Sequence, residues 1–285
     1  MTNEPLDPRI NAFRADLAAQ SFKGRLEATN FVPGIPHQVA IGLLGLHGSP
    51  DPESSLNNQL LYGENFMVYE IKDGWAWGQA EKDGYVGYCR AEGLSPDLFP
   101  TTHHVSALST HLYKEPDVKS KAVAQVFMMS KLSILSMVPE NGFVQLVDGH
   151  WVYATHISNI AGQDPVAEAL KLLYVPYLWG GCSSAGIDCS GLIQLSFATT
   201  GQEVPRDSDM QENFIGEKLP DDAVPERGDL AFFPGHVGFM LDDMHLLHAN
   251  AHHMRVSIDP LRDVIDIISF QTDKQPLSCI KRVTL

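Results

Sequence analysis

The sequence is poor in cysteine and in positive charge, and each shortage excludes classes of protein. Four of the 285 residues are cysteine and no Cys-x-x-Cys pair occurs, so a disulfide scaffold is excluded. A zinc ribbon and a thioredoxin-like site are unsupported for the same reason. Lysine and arginine number 20 against 35 aspartates and glutamates, which gives a formal net charge of −15. Such a surface repels phosphates, so we expect no nucleic-acid partner.

Long hydrophobic runs are also missing. No stretch reaches the roughly 18 apolar residues that a membrane helix needs, so we expect no membrane span. Residues 1–9 lack the basic and then apolar regions of a secretory signal, which predicts a cytoplasmic protein. No Gly-x-Ser-x-Gly motif occurs either, and this disfavours a serine hydrolase.

Composition and periodicity divide the chain into four predicted segments. Residues 1–36 form a predicted helical segment, because Asp7-Pro8 is typical of a helix start and apolar residues follow at helical spacing. Residues 37–99 and 100–160 each hold several short strands between turn signals, which predicts two small all-β barrels. Residues 161–285 begin with helices and end with strands, the order of an α+β domain.

The last segment has well-marked elements. Asp164-Pro165 predicts one helix start, and the apolar run after Cys189 predicts a second helix that ends at Gly201. The predicted strands lie at residues 230–233, 237–241, 245–249, 254–258 and 279–283.

A glycine-rich aromatic stretch before a cysteine is the most informative feature of the chain. It reads Tyr177-Leu178-Trp179-Gly180-Gly181 and then Asp188-Cys189-Ser190-Gly191-Leu192. Free N–H groups at a helix start bias a thiol toward thiolate, the form that attacks carbonyls. We therefore expect Cys189 to be a nucleophile. Downstream, His236 is the expected general base and His248 the residue that orients it.

A metal site is the alternative interpretation of the histidines. His245, His248, His252 and His253 lie close together in the sequence. No carboxylate or thiolate ligand follows at a matching spacing, and the segment is not a helix that would align them. We expect neither a metal nor another cofactor.

These motifs resemble the NlpC/P60 family of cell-wall cysteine peptidases. The matching pieces are Pro176-Tyr177-Leu178-Trp179-Gly180-Gly181, Asp188-Cys189-Ser190-Gly191-Leu192, Pro205-Arg206, Arg227-Gly228-Asp229-Leu230, His236-Val237-Gly238 and Leu247-His248-Ala249. Upstream, Leu60-Leu61-Tyr62-Gly63-Glu64, Gly74-Trp75-Ala76-Trp77 and Gly84-Tyr85-Val86-Gly87-Tyr88 resemble bacterial SH3-type modules. The resemblance implies a papain-like α+β catalytic domain over residues 161–285, preceded by two SH3-like barrels.

Within that family, the likeness is to enzymes that cut muropeptides between D-glutamate and a diamino acid. The resemblance implies hydrolysis of a γ-D-glutamyl bond through a thioester, in a peptidoglycan-derived peptide with a free N-terminal L-alanine. Such peptides arise in cell-wall recycling. Two alternatives stay open: an amidase or acyltransferase that uses the same thiol, and a non-catalytic module that binds wall peptides. The sequence gives no oligomeric state.

The resemblance also implies roles for the residues around the cysteine. Tyr177 would donate its phenol to the oxyanion beside a backbone N–H at Cys189, or else pack against the helix. Asp188 would cap the helix or pair with the substrate's free ammonium, and Ser190 flanks the nucleophile on the other side.

Four further residues complete the expected substrate site. Trp179, Glu64 and Tyr88 would form the rest of the amine pocket, with Glu64 and Tyr88 supplied by the first SH3-type module. Arg206 would bind a substrate carboxylate through two hydrogen bonds, or brace the loop through a salt bridge.

Overall fold

The chain folds into two compact units, of which the first ends at Asn159 and the second begins at Ile160. The computed structural model describes residues 6–270, 272–273 and 275–283. Residues 1–5, on which part of the expected lack of a signal peptide depends, lie outside the described residues. Among the described residues, no helix has the length and apolar character to cross a bilayer. The finer domain boundaries predicted above stay predictions.

The predicted N-terminal α-helix is wrong. The carboxylate of Asp7 accepts from the backbone N–H of Arg9 at 2.9 Å, which makes a turn instead of a helix cap. Short strands β1 (Leu17–Ala19) and β2 (Asn30–Val32) pair in parallel, with a 3-10 turn after β1. The apolar residues of this segment pack around Trp77 of the following sheet. Tertiary packing therefore overrides the helical spacing.

A seven-stranded sheet follows and forms the first small β-module. Its strands are β3 (Ile35–Val39), β4 (Leu43–His47), β5 (Leu56–Leu61), β6 (Asn65–Lys72), β7 (Trp75–Ala80), β8 (Val86–Arg90) and β9 (Leu94–Ser95), in the order β5-β4-β8-β7-β6-β3-β9. At the turn between β6 and β7, Asp73 and Gly74 have φ of 51° and 79°, the left-handed pair of a tight hairpin. Strand β3 begins two residues earlier than the predicted barrel.

The second β-module is built from eight short strands in two sheets. They are β10 (His103–Val105), β11 (Ser109–Tyr113), β12 (Ala122–Phe127), β13 (Lys131–Leu132), β14 (Ile134–Glu140), β15 (Phe143–Leu146), β16 (Trp151–Tyr153) and β17 (Ile157–Ser158). Their orders are β13-β10-β17 and β12-β11-β16-β15-β14. A separate apolar core, including Leu112, Leu132 and Val152, lies inside this module.

The second unit is an α+β domain, as predicted. Its helices are α1 (Pro165–Leu170), α2 (Cys189–Thr199), α3 (Ser208–Phe214) and α4 (Leu261–Ser269). Its strands are β18 (Cys182–Ser183), β19 (Gly186–Ile187), β20 (Glu217–Lys218), β21 (Leu230–Phe233), β22 (His236–Met240), β23 (His245–Asn250), β24 (Arg255–Pro260) and β25 (Cys279–Arg282). Six of them form one sheet in the order β20-β25-β21-β22-β23-β24. The predicted helices after Asp164 and Asp188 and the five long strands are confirmed.

Candidate active site

Helix α2 begins at Cys189, so the thiol lies where backbone N–H groups are free of helical partners. Asp188 caps the helix and accepts from the N–H of Gly191 at 2.7 Å. A side chain at Gly191 would overlap the carbonyl oxygen of Gly181. The glycine-rich loop can therefore pack directly on the first turn of α2 only because Gly191 carries no Cβ.

Asp188 and Arg206 form a buried ion pair beneath the cysteine. The guanidinium donates to both carboxylate oxygens, at 2.9 and 2.6 Å, and Arg206 is only 1% exposed. The same side chain donates to the hydroxyl of Ser190 at 2.9 Å and to the carbonyl of Gly181 at 3.3 Å. These contacts favour the bracing interpretation of Arg206, because its nitrogens are engaged by the protein itself.

Burial overturns the expected bias of Cys189 toward thiolate. The thiol is 7% exposed, and burial together with the charge of Asp188 raises its pKa to about 12. Backbone N–H groups of Val237 and Ser190 and the charge of Arg206 lower the pKa, but by less than burial and Asp188 raise it. Because Val237 follows His236, the thiol faces the start of β22. At neutral pH the sulfur is therefore a neutral thiol that needs a base.

His236 and His248 form a direct pair on neighbouring strands. Nε2 of His236 lies 2.7 Å from Nδ1 of His248. Burial and the nearby His248 lower the pKa of His236 to about 3, so its imidazole is neutral and can accept a proton. A Cβ at Gly238 would lie 2.9 Å from Cβ of His248, so the glycine permits the close approach of β22 and β23.

Asp259 joins the histidine pair, and the sequence analysis missed it. Its Oδ2 lies 3.0 Å from Nε2 of His248, and its Oδ1 lies 3.2 Å from Nε2 of His253. Burial lowers the pKa of His248, and the hydrogen bond and charge of Asp259 only partly offset that effect. The only signal in the sequence is an aspartate at the end of the strand after His248.

Tyr177 lines a cleft of about 920 Å³ together with His236 and His248. Burial raises the pKa of its phenol, and the nearby charges of Cys189 and Asp188 raise it further. The phenol is therefore protonated at neutral pH. Its expected role as a hydrogen-bond donor to the oxyanion stays a prediction.

The other predicted substrate residues occupy different environments. Trp179 is 65% exposed on the glycine-rich loop. Ser190 is buried, and its hydroxyl lies between Arg206 and one oxygen of Asp188, at 2.9 and 3.3 Å. In the first unit, Glu64 accepts from the N–H of Leu61 and pairs with Lys82, and the hydroxyl of Tyr88 accepts from Arg14 at 2.9 Å.

The four clustered histidines do not share one set of partners, and His252 contacts only the ring of His253 edge-on among the ring contacts of the described residues. His248 pairs with His236 and Asp259, while His253 contacts the other oxygen of Asp259. His245 pairs with Asp242 at 2.9 Å, at the opposite end of β23. Across residues 6–270, 272–273 and 275–283, no group of three or more His, Cys, Asp or Glu side chains is arranged to hold a metal ion.

Two family matches cover the regions just described. Residues 174–266 match the NlpC/P60 family, and residues 46–94 match the bacterial dipeptidyl-peptidase Sh3 domain. The first match contains the cysteine, both histidines and Asp259. The second covers most of the seven-stranded sheet.

Curated relatives and a solved structure extend the likeness over most of the chain. Dipeptidyl-peptidase 6 of Lysinibacillus sphaericus is 28% identical over 77% of this chain and 89% of its own length. The gamma-D-glutamyl-L-lysine dipeptidyl-peptidase of Bacillus subtilis is 27% identical over 75% of this chain and 78% of its own. The fold of an NlpC/P60 family protein from Bacillus cereus covers 87% of this chain and 99% of that one, with a TM-score of 0.71 and 19% identity.

Proposed function

We propose that this chain, a cysteine peptidase with an NlpC/P60 domain and a bacterial dipeptidyl-peptidase SH3 domain, hydrolyses the γ-D-glutamyl–diamino acid bond of peptidoglycan stem peptides. One observation carries the proposal: a cysteine at the start of α2 faces the start of β22, where His236 pairs with His248 of the neighbouring strand. The substrate class is supported by relatives named gamma-D-glutamyl-L-lysine dipeptidyl-peptidase.

The reaction begins from a neutral thiol and a neutral imidazole. His236 takes the thiol proton as Sγ of Cys189 attacks the γ-carbonyl carbon. The tetrahedral oxyanion accepts hydrogen bonds from Tyr177 and from the backbone N–H at Cys189. Collapse breaks the C–N bond, and His236 gives its proton to the leaving amine of the diamino acid. Water then hydrolyses the thioester, which releases the L-Ala-γ-D-Glu half and restores the thiol.

The acyl half of the substrate lies on the side of Asp188, Ser190 and Trp179 in this proposal. Arg206 already donates to both oxygens of Asp188, so the role of Arg206 is to position that carboxylate. The negative charge of Asp188 would then attract the free ammonium of L-alanine. The roles expected of Glu64 and Tyr88 stay predictions. A raised KM in Glu64→Gln or Tyr88→Phe, with kcat unchanged, would support them.

The test uses defined tripeptides, L-Ala-γ-D-Glu followed by lysine or by diaminopimelic acid, with products identified by mass spectrometry. We expect release of the free diamino acid and an intact dipeptide. Cys189→Ala should abolish release, whereas Cys279→Ala, which removes a buried thiol from the same unit, should keep it. Unchanged release by Cys189→Ala would overturn the proposal.

A blocked substrate distinguishes the alternatives. N-acetylation removes the positive charge of the N-terminus, so a site that requires a free amine should reject the acetylated tripeptide by a large factor. Equal rates on both substrates would favour the amidase or acyltransferase instead. The recycling role and the cytoplasmic location stay predictions, which fractionation of the producing cells would test.

A further inference from the structure

Asp259 lies at the end of β24, beside the two histidines of the site. Strands β23 and β24 are antiparallel, with His248 opposite Ser257 and Leu246 opposite Asp259. Asp259 is therefore a diagonal neighbour of His248 on one face of the sheet. The hydroxyl of Ser257 donates to Oδ2 of Asp259 at 2.6 Å, which orients the carboxylate that contacts His248.

We propose that Asp259 is a positioning residue that fixes the tautomers of His248 and His236, so that His236 presents a free Nδ1 lone pair to the thiol of Cys189. The inference deepens the proposed function and rests on it for the identity of the base. The tautomers themselves exist without substrate and can be measured independently.

The direction of the hydrogen bonds follows from the carboxylate. Burial raises the pKa of Asp259, but hydrogen bonds from Ser257 and His248 and the charges of His248 and His253 hold it below its usual value. An ionised carboxylate only accepts, so His248 must carry its proton on Nε2. Its Nδ1 then accepts from Nε2–H of His236 at 2.7 Å. His236 is left with a lone pair on Nδ1, the nitrogen available to take the thiol proton.

One neighbour favours the opposite arrangement. Nδ2 of Asn250 lies 3.2 Å from Nε2 of His248. Its orientation is fixed, because its Oδ1 accepts from the N–H of His253 at 2.8 Å and its Nδ2 donates to Ser257 at 2.7 Å. The amide would place the proton of His248 on Nδ1 and deprive His236 of its role as base. The shorter, charge-assisted contact with Asp259 outweighs it.

The carboxylate also stabilises the charge that forms during the reaction. When His236 takes the thiol proton it becomes an imidazolium, and the negative charge of Asp259 lies at the far end of the same hydrogen-bonded chain. The titratable groups near Asp259 besides the histidine pair are His253, which contacts its second oxygen, and Tyr177, His252 and Asp263, which line the same cleft. His253 is half-exposed, so its contact with Asp259 is the more screened of the two.

The direct test is the 15N chemical shift of the imidazoles in the ligand-free wild-type protein, with His248→Gln for assignment. We expect His248 to show a protonated Nε2 and a lone-pair Nδ1, and Asp259→Asn to shift that population toward the other tautomer. A protonated Nδ1 on His248 of the wild type at neutral pH would overturn the proposal, whatever the substrate is.

The kinetic test compares Asp259→Asn with Asp242→Asn. The control alters an aspartate–histidine pair at the start of β23, the strand that carries His248, but outside the cleft. Asp259→Asn should lower kcat on the order of 10- to 100-fold with KM unchanged, as a wrong tautomer would. Asp242→Asn should stay within about twofold of wild type.

The two proposals fail in different ways. If no tripeptide is cleaved, the proposed function fails, and the rate of Cys189 alkylation replaces kcat as the readout for Asp259. If tripeptides are cleaved but Asp259→Asn keeps its full kcat, the role of Asp259 is overturned and the proposed function stands.

Discussion

Arg206 binds Asp188 through two charge-assisted hydrogen bonds in a site that solvent scarcely reaches, one residue before the nucleophile. The pair ties the loop that carries Arg206 to the first turn of α2. The charge of Asp188 raises the pKa of Cys189 and that of Arg206 lowers it, so the pair also moderates the field at the sulfur. Its role is therefore structural and electrostatic together.

Arg206→Met should destabilise the protein by about 3–5 kcal/mol, because it leaves the carboxylate of Asp188 buried without its partner. The control is Arg227→Met, which breaks the exposed pair of Arg227 with Asp164 at 2.7 Å and should cost less than about 1 kcal/mol. Urea unfolding measures both. Equal costs for the two variants would contradict the buried-pair interpretation.

Alkylation of Cys189 by iodoacetamide should rise about tenfold per pH unit from pH 7 to 10, because only the thiolate reacts and the pKa of the thiol is about 12. Site-resolved mass spectrometry is needed, since all four cysteines are free thiols. A rate that is level between pH 5 and 9 would instead indicate a resting thiolate–imidazolium pair.

The start of α2 could be predicted from the sequence because its signals are local. Asp188 is a cap residue directly before the helix, and the glycines around it permit the close packing. Strand β21 and most of β22 are short apolar runs, which are local signals as well. By contrast, the local signals of β4 and β5 are weak: Gly45 interrupts the first, and three adjacent polar residues occupy the second.

The contact of Asp259 with His248 and the non-helical conformation of the N-terminal segment depend on residues far apart in the sequence. No local sequence pattern could predict them. Asp259 reaches His248 only through the register of β23 on β24. The residues after Asp7 have helical spacing, yet they pack on Trp77, which lies far along the chain. The expected bias of Cys189 toward thiolate is wrong for a related reason. Burial of Cys189 depends on the sheet that covers it, and this burial raises the pKa of the thiol by more than the helix start lowers it.

Stability should fall as the pH falls from about 6.5 to about 4, in part because of His236. Its pKa is about 3 in the folded state and about 6.5 in the unfolded chain, so the unfolded state binds the proton first. Each pH unit in this window should remove up to about 1.4 kcal/mol of unfolding free energy. Urea unfolding at a series of pH values should show that the unfolding free energy of His236→Gln falls less steeply with falling pH than that of the wild type. The same pH dependence in both proteins would contradict the lowered pKa.

Gly238→Ala should separate the two histidines. The added methyl would lie 2.9 Å from Cβ of His248, 2.9 Å from Cγ of Leu246 and 2.9 Å from the carbonyl oxygen of Leu247, so β22 and β23 must move apart. We expect the free energy of unfolding to fall by about 1–3 kcal/mol. We also expect kcat to fall by a larger factor than the factor by which KM changes, because the 2.7 Å contact of His236 with His248 lengthens. Gly162→Ala, whose nearest neighbour would lie at 3.4 Å, is the matched control in the same unit. If Gly238→Ala retains wild-type kcat, the close approach of β22 and β23 is not what positions His236 as the base.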